Sequence, residues 1–282
     1  MQLKRFRVIL TFFLVLVFDV LLLVHLEDKL RQINSFSYEV AYENFRDHEI
    51  TQETLRTFRE AAGEDETHFA ELMAMYFASG SLEYDVGSLE EELVYARQYH
   101  GTEFAQICDA VQAVWQDLAC FPVGEVETPE DCGISFCDSW MQSRTFGGDR
   151  GHEGCDIMAD LNQRGIYPIY SMTDGVVENI GWLRLGGYRI GIRSDSGAYF
   201  YYAHLAEYAD DFAVGDRVLA GTHLGYMGDT GYSDVPGTTG MFDVHLHLGI
   251  YLNDASGAEY SINSYPMLEY LWEQKKDGNA VG

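Results

Sequence analysis

Asp243-Val244-His245-Leu246-His247-Leu248-Gly249 is the stretch on which the reading of the chain turns. Its residues alternate, and a β-strand sends positions i and i+2 to the same face. His245 and His247 therefore point side by side, while Val244, Leu246 and Leu248 pack behind them. Two imidazoles on one strand face suit a metal, but a solvated strand face has the same pattern, so partners elsewhere in the chain must decide.

Candidate partners lie upstream. Gly151-His152-Glu153-Gly154-Cys155-Asp156 places a His and an Asp four apart where β-like sequence begins. Neutral imidazole and carboxylate are suitable zinc ligands, and a catalytic zinc needs three protein ligands with one position left for water. His152, Asp156 and one histidine of the pair supply three. Zinc lowers the pKa of bound water to about 7 and polarises a scissile carbonyl. Peptide hydrolysis also needs groups that move protons and stabilise the oxyanion. The other strand histidine and His204, in Tyr202-Ala203-His204-Leu205, are placed for that. Cys155 is turned away from Asp156 by strand alternation and reads as core, Glu153 as a solvated loop acid. His25, His48, His68, His100 and His223 fall in no interpretable spacing.

Around this constellation, short aromatic and β-branched runs separated by glycine turns fill the second half of the chain. Val176–Ile180, Tyr188–Arg193 and Ala198–His204 are examples, with a hairpin over Ser194-Asp195-Ser196-Gly197. A mainly β, antiparallel domain follows, with a short helix near Met267 to Gln274 packed against it and a fraying tail. The first half reads differently. Lys4, Arg5 and Arg7 precede an apolar run from Val8 to Val24, close to the roughly 17–20 residues that cross a bilayer, and Glu27 and Asp28 follow it. That charge order puts the N-terminus in the cytoplasm and the rest outside. A cleaved signal peptide is the alternative, although no small-x-small site follows the run. A helix or stalk continues to about Arg46. Helices then run from a Thr51 cap to Gly63, from about Asp65 to Gly80, from a capping box at Ser88-Leu89-Glu90-Glu91 to Gly101, and from Thr102 to about Leu118. The helical module shows no catalytic grouping and can hold a protein partner or set a distance from the membrane.

The 282 residues carry a net charge of −27, with Lys+Arg only 18, which excludes nucleic acid as a partner. Of five cysteines, Cys132 with Cys137 and Cys108 with Cys120 are possible pairs, buried free thiols the other reading.

Taken in order, His152-Glu153-Gly154-Cys155-Asp156, Tyr202-Ala203-His204-Leu205 and His245-Leu246-His247 resemble the His-x-x-x-Asp, Tyr-x-His-Leu and His-x-His marks of the lysostaphin/LytM-type zinc metalloendopeptidases. These are cell-wall hydrolases with a duplicated-hybrid-motif β fold. Asp174-Gly175-Val176-Val177, Val214–Val218 and Gly228–Ser233 resemble further stretches of that family, and the likeness spans roughly Phe146 to Tyr251. It implies one zinc held by His152, Asp156 and His247, with water in the fourth position. His204 and His245 are then catalytic, and the substrate is a peptidoglycan cross-bridge or stem peptide. The chain departs from the family pattern in the loop 234–242, inserted before Asp243-Val244, which can reshape or partly cover the cleft. The implied organisation is a cytoplasmic N-terminus (1–7), a transmembrane anchor (8–26), a helical stalk and module (27–122), a linker (123–145), the zinc peptidase domain (146–265) and a C-terminal helix with tail (266–282). Relatives of the stage II sporulation protein Q type use the same fold to bind a partner, so an anchored scaffold with little or no hydrolysis is the alternative.

Overall fold

The computed structural model describes residues 2–80, 85–126, 132–276 and 278. Residues 81–84 of the helical stretch, 127–131 of the expected linker, and Met1, 277 and 279–282 at the ends, including most of the tail expected to fray, lie outside the described residues.

The apolar N-terminal run has no polar stripe and so no face to turn towards a core. It forms α1 (Gln2–Asn34), about 50 Å long at 1.5 Å per residue. Its stretch Lys4–Gln32 is, among the described residues, the one helix long and apolar enough to cross a membrane, and none of its most apolar window is buried inside the molecule. By length and composition it can equally be a signal sequence.

The stalk expected to reach Arg46 is broken instead. Ser37 is extended, and its hydroxyl accepts from the Val40 N–H to start α2 (Tyr38–Asp47), which buries Ala41 and Phe45. Helix α3 (Gln52–Ala62) starts at the Thr51 cap, and α4 (Glu66–Ser79) starts at Asp65, whose carboxylate accepts from Thr67 and His68 N–H. The expected box at Ser88 is not the start of α5 (Val86–Tyr99). Asp85 occupies the cap position, and Ser88 lies inside the first turn with its hydroxyl on the Asp85 carboxylate. After one residue, His100, comes α6 (Gly101–Trp115).

The strands are β1 (Ile134–Phe136), β2 (Ser143–Arg144), β3 (Arg150–Gly151), β4 (Cys155–Ala159), β5 (Pro168–Tyr170), β6 (Gly175–Leu183), β7 (Gly187–Ser194), β8 (Tyr199–Tyr208), β9 (Arg217–Val218), β10 (His223–Met227), β11 (His245–Asn253) and β12 (Glu259–Ile262), followed by α7 (Tyr265–Lys276). Ten form one sheet in the order β1-β4-β11-β8-β7-β6-β9. From this path β12 extends off β11, and β10 pairs with both β8 and β5, every pair antiparallel. The stretch read as a linker thus supplies β1 to the sheet edge, and β2, which pairs with β3. The hairpin at Ser194–Gly197 closes with Ser194 N–H donating to the Ala198 carbonyl. All five cysteines are free thiols.

Helices and strands share one apolar core. The C-terminal helix, expected against the strands alone, bridges both parts. Its Trp272 packs on Phe121 and Phe136, Tyr270 meets Trp115 edge-on, and Glu273 pairs with Arg56 at 2.6 Å. Asn263 N–H donates to the Arg46 carbonyl, tying the end of the sheet to α2.

At the centre of the helices His48, fully buried, closes α2 in a left-handed conformation (φ 52°). Its Nδ1–H donates to the Phe45 carbonyl, and Nε2 accepts from Trp115 Nε1–H at 2.9 Å. A proton on Nε2 would break the second bond, and burial pushes the imidazole down to about 4. The unfolded chain, with an ordinary imidazole near 6.5, binds that proton first. This contribution to stability is therefore complete above pH about 6.5 and is lost as pH falls towards about 4, up to ~3 kcal/mol in all. Denaturant unfolding across that range is expected to show the loss, and the slope should be shallower in His48→Gln; identical slopes in the two proteins would refute it.

Candidate metal centre

Antiparallel pairing builds the centre. In the register of β11, His247 lies opposite Asp156 of β4 on one side and Ala203 of β8 on the other. His152 approaches from the turn before β4. Its Nε2 is 3.0 Å from Asp156 Oδ1 and 2.9 Å from His247 Nδ1, which is itself 2.9 Å from Asp156 Oδ1. The turn can come this close because residue 154 is glycine: a Cβ there would sit 2.5 Å from the Leu248 carbonyl oxygen and 2.8 Å from the His247 ring.

The tautomers show what this triangle suits. His152 Nδ1 faces the Ser139 carbonyl at 3.2 Å and its hydroxyl at 3.0 Å, so it carries the proton and leaves an electron pair on Nε2. A carboxylate oxygen only accepts. A proton on His247 Nδ1 serves two edges of the triangle at most, and the His152–Asp156 edge is left with two facing electron pairs. A cation between the three satisfies all of them, and two imidazoles with a carboxylate are a zinc donor set. Asp156 Oδ2 is held by Arg144 at 2.8 Å, which leaves Oδ1 for the centre. Burial alone would raise the Asp156 carboxyl, but His152 and His247 hold it well below the usual range, so it is ionised. Burial likewise lowers His247, against the pull of Asp156, and favours the neutral ring that a metal requires.

The other two histidines stand beside the triangle. Their rings are 4.7 Å apart, and His245 Nε2 is 3.8 Å from Asp156 Oδ1. His204 donates from Nδ1 to the Thr230 carbonyl at 2.8 Å, and His245 from Nδ1 to the Asp243 carbonyl at 2.7 Å. Both thus keep a free electron pair on Nε2. Burial, reinforced by His245 and His247, pushes His204 well below an ordinary imidazole. Strand alternation alone would send His204 to the side of Tyr202, whose hydroxyl lies in the core accepting from the Met172 N–H. His204 instead has φ 65°, uncommon for a non-glycine residue, and the left-handed turn brings its ring back to the site.

All five sequence-predicted residues border one cleft of about 530 Å³, floored by Tyr199, Tyr201 and Tyr251. The inserted loop does not roof it, since none of residues 234–241 lines it. Its last residue, Phe242, instead packs on His204 and His245 at 4.6 and 5.0 Å. Tyr232 meets Phe242 at 4.7 Å and stacks on Phe146 at 4.1 Å, completing an apolar wall. Cys155 is buried with its thiol towards the Cys137 carbonyl, and Glu153 is exposed. Sequence reasoning overlooked Ser139, Arg144, Phe146, Phe242 and the carbonyls of Thr230 and Asp243. Backbone carbonyls carry no residue signature, and Arg144 sits on a two-residue strand without a pattern.

A profile of peptidase family M23 matches residues 150–258. A crystal structure from Ruminococcus gnavus, provisionally described as a glycyl-glycine endopeptidase LytM, is 40% identical with a TM-score of 0.68 and covers 82% of this chain and 90% of that one. The L-Ala–D-Glu endopeptidase of Bacillus subtilis is 43% identical over 140 residues, 50% of this chain and 41% of that protein. The glycyl-glycine endopeptidase ALE-1 of Staphylococcus capitis is 33% identical over 107 residues, 37% and 26% of the two chains. The chain belongs to peptidase family M23, a zinc-dependent family. Its match spans less than half the length of these curated relatives.

Ser139 orients His152 through its hydroxyl as well as its carbonyl, and Ser139→Ala removes the first. Competition with a chromogenic chelator is expected to show zinc affinity weakened by roughly 10-fold; unchanged affinity would mean that the carbonyl alone sets the ring.

Proposed function

We propose that the chain is a zinc endopeptidase, anchored in the membrane by α1, that hydrolyses peptidoglycan peptides outside the cytoplasm. The observation that carries this reading is the pairing of two arrangements in one cleft. Three electron-pair donors converge on a cation position, and beside them two imidazoles engage backbone carbonyls through Nδ1, which leaves Nε2 for the reaction. The first arrangement alone would serve a structural metal. The second is what hydrolysis adds. The endopeptidase names of the similar proteins support the reaction class, and the apolar window of α1, none of it buried in the molecule, supports the anchor.

Zinc held by His152, Asp156 and His247 supplies Lewis acidity towards a scissile carbonyl and acidifies water to a pKa near 7. The chain's own groups do the rest. Thr230 and Asp243 fix the tautomers of His204 and His245, so either Nε2 can take the proton of attacking water. Once protonated, the same atom donates to the leaving amine, and its neighbour stabilises the oxyanion only in the form that carries a proton on its own Nε2. Phe242 and Tyr232 cover one side of the two rings and limit the water that competes there.

The full chain in detergent with zinc is expected to release soluble peptides from purified walls, and a chelator should abolish release. His247→Ala should lose both zinc and turnover, whereas His245→Ala should keep zinc and lose turnover by about 100-fold or more. Walls left intact by the zinc-loaded chain, or equal zinc loss in the two variants, would refute the assignment. Because burial depresses His204, its basic form persists into mild acid. The acid limb of kcat/KM is therefore expected below the ~6.5 of a free imidazole; a limb above it would exclude His204 as the base.

A further inference from the structure

The similar proteins carry names for two different bonds, one beside an acidic residue and one between glycines. Charge in the cleft distinguishes them. Residues 132–276 contain seven arginines. Five have carboxylate partners: Arg144 with Asp156, Arg164 with Asp229, Arg184 with Asp234, Arg193 with Glu178 and Arg217 with Asp195. Arg150 and Arg189 have none among the described residues, and both line the cleft that holds the five site residues. Their unpartnered atoms are also shielded. Nε of Arg150, and both Nε and Nη1 of Arg189, are buried without a hydrogen-bond acceptor. In a chain with 45 acidic residues against 18 basic ones, two cations left without counter-charge in one cleft are not explained by a shortage of carboxylates. Glu153 and Glu259 border the same cleft but are exposed and pair with neither arginine.

We infer that Arg150 and Arg189 form a subsite for a carboxylate of the peptide substrate, and so direct the enzyme to acidic stem peptides rather than glycine bridges. The inference rests on the proposed peptidase function and names the substrate class of that site. Burial of those atoms leaves Nη1 and Nη2 of Arg150 and Nη2 of Arg189 to donate to a carboxylate, and shielding of the rest of each guanidinium from water strengthens the pair. A glycine bridge has no side chain or free carboxylate to offer these donors. A stem peptide with γ-linked D-glutamate does, since its α-carboxylate stays free beside the bond to L-alanine. The two arginines are specificity residues and take no part in moving protons. Tyr201, on the same face of the sheet as His247, lines the cleft with them.

The test compares L-alanyl-γ-D-glutamyl stem peptide bearing the free α-carboxylate with the same peptide as its α-carboxamide, using the full zinc-loaded chain in detergent. KM is expected to rise on the order of 10- to 100-fold on amidation, the usual range for losing a charged hydrogen-bond partner, with kcat little changed. In Arg189→Gln and Arg150→Gln the ratio of the two KM values should fall towards one, while Arg189→Lys keeps part of it. Equal KM values for the two peptides in the unaltered chain, or an undiminished ratio in both Gln variants, would overturn the inference. The peptide swap needs no variant, so misfolding of a variant does not obscure it. Cleavage of glycyl-glycine peptide with neither stem peptide cut would also overturn it while leaving the proposed function standing. If nothing is cut, the proposed function fails. Calorimetric binding of the two peptides then still decides the subsite: a preference for the carboxylate that Arg189→Gln removes supports it, and no preference refutes it.

Discussion

Nε2 of His152, Oδ1 of Asp156 and Nδ1 of His247 lie within 3.0 Å of one another, each with an electron pair to give. Such a cluster is unfavourable by itself, because electron pairs repel and burial removes the water that would separate them. It persists because neighbouring groups fix each member from behind. Ser139 holds His152, Arg144 takes the far oxygen of Asp156, and the β4–β11–β8 register fixes His247. Glycine at 154 permits the approach of the turn. The arrangement is a site prepared for a cation, with its electrostatic cost set against the stability of the sheet around it.

A second constraint separates the two kinds of histidine. His204 and His245 each donate Nδ1–H to a backbone carbonyl, so the free electron pair of both is on Nε2. His247 presents Nδ1 to the triangle, although it lies only two residues from His245 on the same strand face. Opposite ring atoms thus serve opposite proposed tasks: carbonyls of Thr230 and Asp243 take up Nδ1 of His204 and His245, whereas Nδ1 of His247 meets His152 and Asp156. The left-handed backbone of His204 is local strain held in place by the hydrogen bonds and packing about it. Phe242, delivered by the inserted loop, presses on both rings and couples that loop to the site without roofing the cleft.

The helices bear on the site indirectly. The sheet end is tied to α2 through Asn263 and Arg46, and α7 packs on Phe121 and Phe136 from the strand side and on Trp115 from the helix side. Trp115 in turn donates to the buried, neutral His48. The frame behind the cleft is therefore continuous with the helices that follow α1.

His245 and His247 share a face because a strand has period two, so their proximity was legible from six or seven letters. His152 and Asp156 declared themselves by donor chemistry, and the apolar helix by an unbroken hydrophobic run. The caps at Thr51 and Asp65 were legible too, since they are local bonds between a side chain and the next turn. Ser37 and Asp85 were not, because polar residues that can cap lie close together there and only the packing of Phe45 and Leu89 selects among them. The sequence by itself determined the strand period, the donor chemistry and the apolar span. Tertiary structure decided which ring nitrogen faces the centre, how His204 leaves the alternation, what Phe242 covers, and which arginines of the strand half lack a carboxylate partner among the described residues. Those depend on groups far apart in the chain, many of them backbone carbonyls, whose positions are fixed only when the strands pair.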